Sequence, residues 1–391
     1  MRAPSTETGP HRSAKTAFPA DRPTSAVIDL DALEHNFREV VRCAEGQQVL
    51  AVVKARAYGH GAVEVSRRLQ KLGADMFGVA LVEEGRELRD AGILAPILVM
   101  GATFPEQAEA IVSLKLTPAI FSLSVAQALS EAAYKRRTTI DVHVKIDTGM
   151  GRIGIAPEDA PGFIAGLRKL GSLTVQGLMT HFADADLRDK QFASRQMDRF
   201  EALLNALEEK KINVPVRHAA NSAAVLDFHR AFFTMVRPGL MLYGYNPLEE
   251  GAIGADLRRV LSLVTRIAFL KKVPAGVPVS YGRTFTTKRE SIIATLPIGY
   301  ADGYSRGLSN KGAALVRGIR VPVVGRVCMD MCMIDVTDVP GASEGDEVVL
   351  IGSQGNERIT ADDIAAMTGT IAYEVLCGIS SRVPRIYQSR P

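Results

Sequence analysis

Between Asp29 and Asp256 the apolar positions fall into short β-branched runs separated by amphipathic stretches. Runs at 49–53, 77–81, 97–100, 118–121, 140–146, 174–180, 216–220 and 235–243 predict eight strands. Helical periodicity fills the intervals at 61–72, 83–91, 105–114, 124–134, 157–170 and 190–210. Strand and helix in alternation predict parallel pairing, and eight such units match the size of a (β/α)8 barrel of the TIM type. A doubly wound open sheet is the competing arrangement. After Asp256 the texture changes: runs at 260–270, 291–296, 319–324, 327–336 and 347–351 follow one another across Gly/Pro turns. Only 360–367 reads as a helix there, with Thr360 as its N-cap. The pattern thus predicts an α/β chain with a disordered tail over 1–23, a barrel over 24–256 and a smaller, mostly β domain over 257–391.

Composition narrows the partners. At 391 residues the chain exceeds a single small module. Lys and Arg number 47 against 43 acidic residues, and half of the resulting +4 lies before Thr24. The folded part therefore gives no electrostatic case for nucleic acid. Cys43, Cys328, Cys332 and Cys377, scattered through so long a chain, predict thiols rather than disulfides. Cys328 and Cys332 have no second pair of ligands nearby, so no metal site is expected. No apolar run reaches the roughly 18 residues of a membrane span, and the start of the chain lacks the apolar stretch of a signal peptide. A cytoplasmic protein without a membrane partner is the expectation.

In such a barrel, chemistry gathers where strands end, and phosphate groups bind after strands seven and eight. Lys54, Arg152, His181, Asn221, Ser222, Arg237 and Gly239 stand at those ends. A lysine that closes an apolar strand loses hydration, which lowers its pKa and frees the amine for Schiff-base chemistry. A snorkelling surface lysine is the ordinary alternative. Tyr58-Gly59-His60-Gly61 follow Lys54, adding backbone freedom and a phenol for a phosphate. Ser222 and Gly239 offer a hydroxyl and an unobstructed N–H, although a plain helix N-cap also accounts for Ser222. Arg237 has its own ordinary reading, a pair with a buried acid. An amine for an aldehyde, a phosphate cup and an arginine at one rim together describe a site for pyridoxal phosphate.

The stretch Ala51–Gly61 (AVVKARAYGHG) resembles the cofactor-lysine motif of the alanine racemase family. DTGMGRIG (147–154), THFA (180–183), HAANSA (218–223), Arg237-Pro238-Gly239, VSYG (279–282), PIGYADGY (297–304), GRVCMD (325–330) and YEV (373–375) follow in the family's order. This resemblance implies that Lys54 carries pyridoxal phosphate and serves as base on one face of the substrate Cα. It implies that Tyr281 is the base on the other face, entering from the partner of a homodimer. A chain from Tyr281 through His181 to Arg237 would stabilise the phenolate, whose reference pKa near 10 is otherwise too high for a base. Arg237 at the pyridine nitrogen would keep the ring neutral and favour racemisation over side reactions. The resemblance further places Arg152 and the backbone of Met329 at the substrate carboxylate, with Cys328 and Asp330 flanking. Lys145, carbamylated in many relatives, would buttress Arg152. Tyr58, Ser222, Gly239 and Tyr373 would complete the phosphate cup, and Tyr300, Arg306, Arg326 and Ile371 would line the mouth of the site.

These expectations amount to L- and D-alanine interconversion, as in supply of D-alanine for peptidoglycan. A broader racemase accepting serine, lysine or arginine shares the mechanism. A decarboxylase of the same plan would need an acid where Arg237 stands, and a non-catalytic cofactor-binding barrel would not need Tyr281. Arg56 departs from the Asn or Asp common in relatives and leaves substrate breadth open. Ordinary alternatives also stand for Met329 as core and for Arg306 and Arg326 as solvated cations.

Overall fold

The computed structural model describes residues 22–248 and 255–389. Of the expected tail, 1–21 lies outside the described residues. The first strand, β1 (Ser25–Asp29), is followed by a helix over Leu30–Cys43. Eight parallel strands come next: β2 (Gln48–Val52), β3 (Met76–Val79), β4 (Ile97–Val99), β5 (Thr117–Ile120), β6 (Ile140–Lys145), β7 (Leu173–Met179), β8 (Val216–His218) and β9 (Met235–Val236). Their order around the sheet is β8-β7-β6-β5-β4-β3-β2-β9. The Thr234 amide donates to the Arg217 carbonyl (3.1 Å) and the Arg237 amide to Ala220 (2.8 Å), which brings β9 alongside β8 and nearly closes the barrel. An open doubly wound sheet is thereby excluded. Val49, Leu50, Ala51 and Val52 are all buried, as expected for strands covered on both faces.

The eighth strand is shorter than its apolar run. Pro238 lacks a backbone donor and ends the ladder, and Leu240–Tyr243 turns instead into a 3₁₀ segment.

β1 pairs antiparallel with Leu261–Arg266 (Ser25 opposite Val264) and parallel with Arg385–Gln388 (Ala26 opposite Arg385). It therefore lies in the sheet of the second, mostly β part, not in the barrel. Arg22 reinforces this seam: its guanidinium meets the fully buried Asp302 carboxylate at 2.8 Å and donates to the Pro297 carbonyl. The run 260–270 divides into Leu261–Arg266 and Phe269–Val273, which belong to different sheets. Of 327–336 only Cys332–Asp335 is strand, because Cys328 and Met329 are drawn aside by bonds from the Tyr300 and Ala301 amides (3.0 Å each). A second helix, Ala372–Gly378, lies beside Ala361–Thr368, against the expectation of one helix in this region. Its seven residues span too few turns for periodicity to reveal it. All four cysteines are free, and no described helix is long and apolar enough to cross a membrane.

Candidate active site

The C-terminal ends of the strands surround a cavity of about 650 Å³ lined by Lys54, Tyr58, Lys145, Arg152, His181, Asn221, Ser222, Arg237, Gly239, Ile371 and Tyr373. These eleven are candidates named from the sequence; the same cavity is also lined by residues the sequence did not single out, Met100 and Asp186 among them. Lys54 stands after β2 in a largely desolvated position, and burial, followed by the charge of Arg152, holds its ammonium below the ordinary lysine range. A snorkelling lysine would show no such depression.

Directly behind Lys54, the chain winds left-handed through four non-glycine residues, Ala55, Arg56, Ala57 and Tyr58, at φ 52°, 56°, 55° and 53°. No residue in that stretch signals such a turn, because L-residues avoid it. Gly59, at φ 86°, completes the reversal, and a Cβ there would lie 2.2 Å from the Leu376 carbonyl oxygen. The Tyr58 ring is thereby brought to 4.9 Å from Tyr243 and 5.9 Å from Tyr373. Arg56 is exposed on the outer side of this turn and does not line the cavity.

Arg237 is 3% exposed and has no acid partner among the described residues. Its guanidinium donates to the carbonyls of Thr180 (2.7 Å) and Ala219 (2.9 Å) and bonds the Nδ1 atoms of His218 (3.1 Å) and His181 (3.3 Å). A guanidinium only donates, so both imidazoles accept at Nδ1 and carry their proton on Nε2. Burial and the surrounding cations, Arg237 first, keep His181 neutral well below the usual range. Burial pushes Arg237 itself down to about 9. His218 in turn lies 2.8 Å from Nδ1 of His143, whose Nε2 reaches Gln176 at 3.3 Å. His143 and the relay through His218 were not singled out from the sequence. The alternation in β6, which points His143 and Lys145 to one side, carried that signal.

Lys145, 3% exposed, has no hydrogen-bond partner at Nζ. Burial, then Arg237 and Arg152, push it down to about 7. Asp147 curls the following loop by accepting the amides of Gly149 (2.9 Å) and Gly151 (3.1 Å), and so sets Arg152 over the cavity. Gln196 ties this loop to the next strand end through Thr148 Oγ1 and the His181 carbonyl.

Asn221, not Ser222, caps the helix Ser222–Asp227, accepting from the Ala224 amide (3.0 Å). Ser222 Oγ instead accepts from the Gly239 amide (2.8 Å) and joins the ends of β8 and β9. A Cβ at Gly239 would lie 2.5 Å from the Tyr58 hydroxyl, so only glycine leaves room for that phenol. Among the described residues lining the cavity the one carboxylate is Asp186, whose charge acts on Tyr373. An aldehyde-bearing aromatic phosphate fits this set: a desolvated amine, two guanidinium groups, clustered hydroxyls and an orphaned lysine nitrogen.

The remaining candidates lie elsewhere on the chain. Tyr281 is 74% exposed and Met329 53%, so Met329 is not core. Cys328 Sγ contacts the Arg326 carbonyl (3.4 Å) and Ser280 Oγ (3.6 Å), and Asp330 pairs with Arg382 (2.8 Å). Tyr300 is exposed, and Arg306 begins a one-turn segment at the surface. None of these six, nor Arg326, lines the cavity within one chain.

Comparison with known proteins places this arrangement. Residues 28–247 match the family described as alanine racemase, N-terminal domain, and 260–387 the alanine racemase, C-terminal domain. An alanine racemase of Halothermothrix orenii is 48% identical over 370 residues, covering 94% of this chain and 98% of the relative. The structure of alanine racemase from Clostridium difficile 630 superposes with a TM-score of 0.91 at 40% identity, covering 95% of this chain and 97% of that one. That of the Bacillus anthracis alanine racemase with bound L-Ala-P gives 0.88 at 37% identity, covering 95% and 97%. The chain belongs to the alanine racemase family.

Proposed function

We propose that the chain interconverts L- and D-alanine with pyridoxal phosphate, as a homodimer whose two sites each draw Tyr281 from the partner. The observation that carries this reading is the amine of Lys54, desolvated and facing Arg152, at the mouth of a barrel whose Arg237 has imidazole and carbonyl partners. Lys54 would hold the cofactor's aldehyde, with Tyr58, Ser222, Gly239 and Tyr373 around the phosphate and Asn221 beside them. When bound, the cofactor withdraws electrons from the substrate Cα and so loosens its proton.

Inverting a stereocentre requires taking that proton from one face and returning one to the other, which two groups do most simply. Lys54 serves one face, and a phenol outside the cavity of its own chain serves the other. His181 carries its proton on Nε2, the nitrogen turned away from Arg237, and that N–H is suited to donate to a phenolate. Arg237 only donates, so beside a pyridine nitrogen it would favour the uncharged ring. Arg152 and the Met329 amide would orient the substrate carboxylate, with Cys328 and Asp330 holding the latter's loop. Tyr300, Arg306, Arg326 and Ile371 would restrict the approach.

Lys145 completes this reading. An amine with a pKa near 7 and no partner, beside two guanidinium groups, is suited to take up carbon dioxide. The nitrogen bonds carbon, one proton leaves, and the resulting carbamate gives Arg152 an anionic neighbour. Protein stripped of carbon dioxide by mild acid should lose one carboxyl mass at Lys145 and regain it with bicarbonate; a mass unchanged by either treatment would refute the modification.

Borohydride reduction of the loaded protein followed by peptide mapping should mark Lys54. A label on any other lysine would overturn the assignment. A substrate panel read by chiral chromatography should place alanine first.

A further inference from the structure

The left-handed turn behind Lys54 needs an explanation of its own. L-residues are disfavoured in that basin, and four in succession persist only where the surroundings hold them. His60 holds one side, its ring contacting the carbonyls of Ala57 (2.9 Å) and Tyr58 (3.0 Å) through Nδ1. A carboxylate holds the other. Glu84 Oε1 accepts from the Ala55 amide at 2.6 Å, while Oε2 accepts from the amides of Ala80 (2.7 Å) and Leu81 (3.2 Å). The Ala55 N–H belongs to the peptide unit that leaves Lys54, and Ala80 and Leu81 begin the loop after β3. One side chain thus joins the ends of two adjacent barrel strands at the residue where the turn starts. Charge-assisted bonds of this kind are about twice as strong as neutral ones.

Glu84 does not line the cavity, so it acts through Lys54 and not on a ligand. Among the described residues, the charged and titratable groups that face Lys54 are Arg152, His181, Cys377 and Glu84. Arg152 disfavours the ammonium, and Glu84 is the carboxylate that opposes it. We propose that Glu84 is the positioning residue of Lys54: its carboxylate locks the left-handed turn that aims the amine and balances the Arg152 guanidinium beside it. The role given to Lys54 itself rests on the cofactor reading above.

The test uses the full chain without added cofactor, as wild type, Glu84→Gln and Glu84→Asp. Glutamine keeps the size of the side chain but loses the charge and turns an NH2 toward one of the backbone donors. Two readouts apply: hydrogen exchange of the 55–58 amides, and the pH midpoint at which pyridoxal with borohydride labels Lys54. In Glu84→Gln, exchange should quicken at least tenfold, and the labelling midpoint should fall by on the order of one pH unit, since losing a nearby opposite charge disfavours the ammonium. Glu84→Asp should restore the midpoint. Wild-type exchange in Glu84→Gln overturns the proposal, as does faster exchange with an unmoved midpoint, which is what a purely structural carboxylate would give. If wild type takes no label at Lys54, the cofactor reading fails, and exchange still decides whether Glu84 holds the turn.

Discussion

At the scale of single residues, the site depends on backbone conformations that most side chains resist. Gly59 combines φ 86° with a carbonyl oxygen 2.2 Å from where a Cβ would stand. Gly59→Ala should therefore cost more than about 2 kcal/mol in urea unfolding, from the left-handed penalty plus displacement of the helix carrying Leu376. Arg56 sits in the same turn at φ 56°, where asparagine is favoured over a long side chain. Arg56→Asn should stabilise the chain by up to about 1 kcal/mol and leave the preference among amino-acid substrates unchanged. A changed preference would show that the exposed guanidinium reaches the substrate. The sequence identified Arg56 as the departure worth following; the turn that gives the departure its physical meaning was invisible in it.

At the scale of elements, the docking of the N-terminal strand β1 into the second sheet is backed by one buried charge. Asp302 has no exposed surface and is met by Arg22 at 2.8 Å and by Arg382 at 3.5 Å. Removing Arg22 leaves that carboxylate poorly compensated, so Arg22→Ala should cost about 3 kcal/mol, read from the denaturation midpoint. What was legible in the sequence follows from burial. Strands β2 to β5 are buried almost throughout, so their apolar runs stood out, as did the polar residues at the ends of the barrel strands. The barrel predicted over 24–256 takes in β1, yet the partners of β1 lie more than 200 positions away, a distance no local pattern encodes. Glu84 escaped for a related reason: it bonds the ends of two neighbouring strands, and nothing adjacent in sequence reports its reach to Ala55. Tyr281 and Met329 were legible by resemblance alone, since their exposure within one chain gives no physical reason to join them to Lys54.

At the scale of the whole molecule, acidity should loosen the fold before it titrates the surface. Burial pushes His60 and His143 down to about 4 from the ordinary 6.5. Between those values the unfolded chain binds protons that the folded chain refuses, so stability is full above pH 6.5 and falls as pH drops toward 4. Each ring contributes up to about 3 kcal/mol to that loss, and urea midpoints at pH 7, 5.5 and 4.5 should fall accordingly. His143→Leu should flatten the fall, and an unchanged slope would show that His143 is protonated in the folded state.

The central claim, a lysine from one chain and a tyrosine from its partner on opposite faces of one carbon, is tested by mixing two inactive variants. A heterodimer of Lys54→Ala with Tyr281→Phe holds one doubly defective site and one site with both native groups. The account predicts that such heterodimers recover alanine racemisation toward half the wild-type level per dimer. Heterodimers verified by mass that stay as inactive as either parent would contradict it.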